Sequence, residues 1–149
     1  NTYVGGELDI TTEVATTVAA TGTFYDLAGT YTSTALQHFD SPASGQLRHL
    51  GVNPREYRLY LDYILDSNPN NVIIMRVLKW DNSESQFVVV KDEPIQVNSL
   101  TGGRDVAFMR FSTAISLDQN DYVKLQVSNE TQTSDIVAEL GGSMRLESR

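Results

Sequence analysis

The residues able to do chemistry in this chain are few. There is no cysteine, so thiolate catalysis, disulfides and cysteine–zinc sites are excluded. His38 and His49 are the only two histidines. Their spacing does not match the i, i+4 pair that binds zinc from a helix. His38 precedes Phe39-Asp40, an arrangement that a metal pair or a general base could use. A strand-end histidine bonded to a neighbour explains it without any reaction. Asp62 and Asp66 lie about 13 Å apart if their segment is extended, too far for a glycosidase pair, which needs roughly 5–9.5 Å. The turn acids Asp92, Glu93, Asp118 and Asp121 do not follow the spacing of a calcium loop. Gly102-Gly103-Arg104 lacks the longer glycine frame of a phosphate loop and reads as a turn. No Gly-x-Ser-x-Gly elbow is present. Asn129-Glu130-Thr131 is a formal glycosylation acceptor, relevant only on a eukaryotic secretory route. Tyr57, Tyr60, Tyr63 and Trp80 could form a sugar platform, although aromatics on alternating strands more often pack in a core or an interface. No catalytic, cofactor-binding or metal residue is therefore assigned, and the chain is expected not to be an enzyme.

The elements that carry these residues read as strands. Tyr57, Leu59, Leu61, Tyr63 and Leu65 alternate with Arg58, Tyr60, Asp62, Ile64 and Asp66, and a period of two over nine residues specifies an extended segment. Val72–Trp80, Gln86–Lys91, Arg104–Ala114, Tyr122–Ser128 and Ser143–Ser148 repeat the pattern. Met109 and Phe111 oppose Phe108 and Arg110, and Val123, Leu125 and Val127 oppose Tyr122, Lys124 and Gln126. Clusters of Asn, Asp, Gly and Pro punctuate these runs, including Asp66–Asn71, Lys91–Pro94, Asp118–Asp121 and Gly141-Gly142. Short strands at such intervals predict an all-β sandwich or jelly roll. Residues 1–21, rich in Thr, Ala and Val from Thr11 onward, read as an extended N-terminal arm with room for one early strand. Residues 22–149 form the domain.

Charge narrows the partners. Nineteen acids against eleven Lys and Arg give the 149-residue chain a formal charge of −8. Such a surface repels phosphate backbones, so nucleic acid is excluded as a partner. No apolar run exceeds four residues, as in Val72–Met75 or Phe87–Val90, whereas a helical membrane span needs about 20. The chain starts at Asn1 with no charged-then-apolar leader, and is expected to be processed, trimmed or cut from something longer.

The order of motifs along residues 15–149 resembles a known family. Residues 16–30 read TTVAATGTFYDLAGT. His38-Phe39 follows, then GQLRHLGVNPREYRLYLDYIL over residues 45–65, ISLDQNDYVKLQVSN over 115–129, and a last strand GSMRLES. This is similar to the C1q/tumour-necrosis-factor-like jelly roll, and within it to the version in bacteriophage virion proteins. Leu47, Gly51, Arg55 and Tyr57 match one segment; Leu117, Asp121, Val123, Leu125, Val127 and Asn129 match another. Asn120 stands where the family more often has Gly, and Trp80-Asp81 where an Asn-Gly turn is usual.

The resemblance implies an antiparallel jelly-roll sandwich of about ten strands that assembles as a homotrimer. It implies a virion location, as a capsid-decoration, fibre or knob module whose partners are other virion proteins of the capsid or tail. The alternative is a carbohydrate- or receptor-binding domain of a tail fibre that meets a bacterial surface glycan. The core is expected to take Tyr57, Leu59, Leu61, Tyr63, Met109, Phe111, Met144 and Leu146. The opposite faces of the same strands carry Tyr60, Asp62, Ile64, Phe108, Arg110 and Arg145. A lone domain would leave Tyr60, Ile64 and Phe108 as an uncovered apolar patch, so these six residues are assigned to a trimer interface, with Arg110 or Arg58 pairing with Asp62 across subunits.

Overall fold

The computed structural model describes residues 4–149. All regular structure among them is β. Fourteen strands run in chain order: β1 (Gly5–Thr12), β2 (Ala15–Thr16), β3 (Tyr25–Asp26), β4 (Thr30–Gln37), β5 (Phe39–Asp40), β6 (Leu47–His49), β7 (Arg55–Asp66), β8 (Val72–Asp81), β9 (Gln86–Gln96), β10 (Asn98–Leu100), β11 (Arg104–Leu117), β12 (Tyr122–Asn129), β13 (Ile136–Ala138) and β14 (Ser143–Ser148). Six of these are three residues or shorter, so the expected ten-odd strands correspond to the long strands plus some of the short rungs. One sheet has the order β10-β11-β7-β14-β1-β4, with β13 and β2 continuing beside β7; the other has the order β5-β6-β12-β8-β9, with β3 on β12. Every pairing is antiparallel. The two sheets stack face to face as a jelly-roll sandwich.

The core lies between the sheets, and the alternation in the sequence selects it. Tyr57, Leu59, Leu61, Tyr63 and Leu65 of β7 are all buried, as are Met109, Met144 and Leu146 beside them. Ile73, Met75 and Val77 of β8 and Val123, Leu125 and Val127 of β12 meet them from the second sheet. Gly142 approaches Tyr63 so closely that a Cβ there would lie 2.6 Å from the ring, which accounts for glycine at the start of the last hairpin arm. Asn120 has φ of 70°, so asparagine takes the left-handed turn position, as its short polar side chain allows.

Three expectations need correction. The N-terminal segment is not an arm over its described length. Strand β1 lies inside the first sheet, hydrogen-bonded to β14 on one side and β4 on the other. Leu8 and Ile10 are buried in the core, and Val18 and Thr16 beyond them are buried too. The Thr16 hydroxyl accepts a hydrogen bond from the Ala28 N–H at 2.8 Å. What the small residues lack in bulk is offset by pairing on both edges of β1. Residues 1–3 of the expected arm lie outside the described residues. The Lys91–Pro94 cluster is likewise no turn but the middle of β9. Among the described residues strand β9 pairs only with β8 and is an edge, where a proline without an N–H is tolerated. Third, Phe111 points inward but is only partly buried. It sits where β11 and β9 close the open side of the sandwich, with the Lys91 ammonium 6.0 Å from its ring centre.

These positions make β1 part of the stability of the fold. Leu8→Ala removes a fully buried leucine and should cost about 2–5 kcal/mol, read as a lower urea midpoint with unchanged slope. A variant as stable as the parent would restore the arm reading.

Candidate assembly face

Strand β7 is central, and its two faces do different things. Its odd-numbered residues seal the core, so Arg58, Tyr60, Asp62, Ile64 and Asp66 point away from the second sheet. The register of the neighbouring strands aligns their outward residues with these. Phe108 lies opposite Ile64, and Arg110 opposite Asp62. On the other side Arg145 lies opposite Tyr60, and Ser143 opposite Asp62. All six residues assigned from the sequence therefore share one surface. Tyr60 is 39% and Phe108 47% exposed, while Ile64 is half-buried. Between Tyr60, Asp62, Arg110 and Arg145 the face sinks into a cleft of about 410 Å³ with Ser112 and Ser143 on its lining.

The ion pairs differ from expectation. Arg110 Nε donates to Asp62 Oδ1 of the same chain at 2.8 Å. Direct cross-strand opposition places the two groups in reach without any second subunit. Arg145 is also satisfied internally: its Nε lies 2.8 Å from Glu147 Oε2, and its guanidinium sits 4.7 Å from the centre of the Tyr60 ring. The pairs are largely solvated, and such pairs contribute little stability on their own. They leave the centre of the face charge-balanced.

Sequence reasoning missed the part of this face that β1 supplies. Glu7 and Asp9 point outward beside Arg145, since Leu8 and Ile10 face the core. A hydrogen bond between the Glu7 and Asp9 side chains, helped by burial, raises the Glu7 pKa above the usual carboxylate range. The signal was present in the alternation Glu7-Leu8-Asp9-Ile10, but four residues were too short to outweigh the polar stretch that follows.

A carboxyl pair borders the same face. Asp66, at the end of β7, is pushed up to about 7 by burial, then by the adjacent Glu139 carboxylate, with Glu13 adding to the repulsion. Glu139 is lowered: Asp66 shares its proton with it, and Arg104 Nη2 donates to both its oxygens at 2.8 and 2.9 Å. The raised pKa favours a proton on Asp66 below about pH 7, beside the Glu139 carboxylate that follows β13.

Of the two histidines, His38 is exposed between β4 and β5, and His49 belongs to the packing. His49 is buried between the rings of Phe39 and Tyr57, with centroids 5.3 and 5.4 Å away. Its Nδ1–H donates to the Asp118 carbonyl at 3.1 Å, and burial lowers its pKa, which favours the neutral ring. Among the described residues no three His, Cys, Asp or Glu side chains gather in a way that could hold a metal ion.

With this geometry in place, the fold has clear counterparts. The structure superposes on murine APRIL with a TM-score of 0.67 at 8% identity, covering 99% of this chain and 100% of that one. It superposes equally, at 0.67 and 11% identity, on the Eiger TNF from S. frugiperda, covering 100% of this chain and 94% of that one. No family model matches the chain, and no curated protein matches it by sequence. The fold is thus a TNF-like jelly-roll β-sandwich.

The Asp66 pair has a pH signature. An acid whose folded pKa is raised gives stability that is full below its unfolded value, 3.8, and lost as pH rises through about 7. Asp66→Asn keeps a donor toward Glu139 and removes the ionisation. Its urea midpoint should gain on the parent progressively across that interval and hold a constant lead above it. Parallel profiles would show that the two acids do not share a proton.

Proposed function

We propose that this chain is a non-enzymatic structural module of a bacteriophage particle, a capsid-decoration, fibre or knob domain that assembles as a homotrimer through the outer face of its first sheet. The observation that carries the assembly is the patch around β7. Phe108 stands exposed opposite Ile64, and Tyr60 stands exposed on the other side of the Asp62–Arg110 pair, on the middle of a sheet, where a solitary domain would place polar side chains. Arg110 and Arg145 at the centre of the face are each paired within the chain, to Asp62 and Glu147, so closing the face against copies of itself strands neither arginine, while Glu7 and Asp9 add acid on its β1 side. The resemblance of the sequence to C1q/TNF-like domains implies threefold closure, and the phage version of those domains supplies the virion context. Three copies would carry about −24. Paired arginines at the axis leave most of that excess on the outside, where it favours solubility.

Arg110 and Asp62 test the face. Arg110→Glu sets like charges directly opposite each other and should give monomer or insoluble protein in sedimentation. The exchange Asp62→Arg with Arg110→Glu restores the pair and should restore the trimer. Lys124→Glu, on the second sheet, should leave the oligomer unchanged. A parent mass near 16.5 kDa at micromolar concentration, or an Arg110→Glu protein that still runs as a trimer, would remove this face from assembly.

The virion role has its own test. An electron-microscopy map of the native particle should show threefold knobs into which this sandwich fits, on the capsid or along the tail. Purified particles that lack the chain by mass spectrometry would end the structural reading.

A further inference from the structure

The second sheet carries a separate feature at its far surface. Trp80 on β8 lies in register with Phe87 on β9 and with Tyr122 on β12. All three point away from the core. The Trp80 and Tyr122 rings are 24° from parallel with centroids 6.1 Å apart, and Phe87 meets Trp80 edge-on at 4.9 Å. Phe87 is 43% exposed, and the other two are partly exposed. A cleft of about 380 Å³ opens along Trp80 and Tyr122, lined also by Gln46, Arg48, Asn82 and Asn120. That volume falls within the roughly 300–1,000 Å³ typical of small-ligand clefts.

The polar wall of this cleft is held from behind by one carboxylate. Asp121 is buried; its Oδ1 accepts from the Asn82 N–H and its Oδ2 from the Asp118 N–H, each at 2.9 Å. It ties the β8–β9 loop to the β11–β12 turn, and so fixes Asn82 and Asn120 beside the rings. The charges near the cleft are spent. Arg48 makes two bonds to Asp40, at 2.9 and 2.6 Å, and Asp81 accepts from the Ser83 hydroxyl and the Glu84 N–H within its own turn. What faces solvent is a near-parallel aromatic pair beside exposed side-chain amides, with the Tyr122 hydroxyl and the indole N–H as further hydrogen-bonding groups.

We infer that this cleft binds a neutral hexopyranose of a surface glycan. The apolar C–H face of a pyranose lies against aromatic rings, and its hydroxyls, each donor and acceptor, match side-chain amides. Among the described residues an anionic sugar finds no free cation at this cleft, and the net charge of −8 opposes it. The cleft lies on the sheet opposite the β7 face, so it stays open whether or not that face assembles. Three copies on one trimer would convert weak single sites into avid attachment to a dense glycan coat.

Trp80 is the only tryptophan, so its emission reports on this site alone. Titration with lactose, cellobiose, mannobiose and chitobiose should give a saturable change with at least one of them, in the millimolar range expected of a single shallow site. Asn82→Ala, and Asn120→Gly, which keeps the left-handed turn position, should each weaken that response about tenfold, the loss of one or two hydrogen bonds, with urea midpoints near the parent's. The monomeric Arg110→Glu protein, if soluble, should keep the same titration and lose only avidity for immobilised sugar, so that failure of the assembly reading is told apart from failure of this one. The inference is overturned if no saccharide saturates the signal, if both amide variants titrate like the parent, or if a proline-rich peptide alone quenches Trp80. In each of those cases the three rings are a cross-strand brace for β9 or a peptide groove.

Discussion

A strand of twelve residues in the middle of a sheet must put half its side chains outside the core, and β7 has this problem in full. Its odd residues make the sandwich possible, because Tyr57, Leu59, Leu61, Tyr63 and Leu65 are each almost entirely buried. Its even residues then have no choice of position. Register with β11 and β14 decides which residues flank them, and a one-residue slip would exchange the two sets and expose the core. The outer face is thus as strongly specified as the interior, although little of its own energy holds it. Arg110 meets Asp62, and Arg145 meets Tyr60, because the core has fixed the strands.

Much of this was legible in the sequence because period-two alternation is a strong signal where it runs long. Over β7 it gave the strand, the buried set and the outward set together, and the six outward residues do share one surface. It failed where the signal was short or its context misleading. Strand β1 shows only Leu8 and Ile10 before a tract of Thr and Ala, and its place in the sheet comes from pairing with β4 and β14, which are remote in sequence. The Lys91–Pro94 cluster has turn composition, and only its edge position makes it a strand. Partner choice was equally invisible: composition allowed Arg110 to reach Asp62 from another subunit, and register placed it opposite Asp62 in the same one.

The exposed edge shows how the fold manages a hazard of its own making. Strand β9 carries Phe87, Val88 and Val89, each 37–48% exposed, beside an open row of backbone groups, a combination that invites pairing with other chains. Three features oppose this. The register shifts between Val77 and Leu78, leaving Val90 as an extra residue that bends the edge. Pro94 removes a donor further along. Between them the charged Lys91, Asp92 and Glu93 interrupt the apolar run, with Asp92 paired to Arg76 at 2.8 Å and Lys91 near Glu93 at 3.6 Å. The composition that made the segment look like a turn is the composition that keeps an edge strand from aggregating.

The two sheets therefore divide the surface of the domain. The first sheet turns a partly apolar face outward through β7, and the physical case for covering it is the exposure of Tyr60 and Phe108. The second turns outward an aromatic row whose neighbours are amides. Asp121 couples that row to the turn preceding β12, and His49 couples the same turn to the core: its N–H donates to the Asp121 carbonyl at 2.8 Å, and its carbonyl accepts from the Asn120 N–H at 2.7 Å. The polar wall of the cleft is thus built on residues that cannot move without disturbing the packing of His49 against Phe39 and Tyr57. A site so anchored starts preorganised, and preorganisation lowers the entropic cost of capturing a weak ligand. Assembly through one sheet and attachment through the other need not compete, because the core that separates them fixes both.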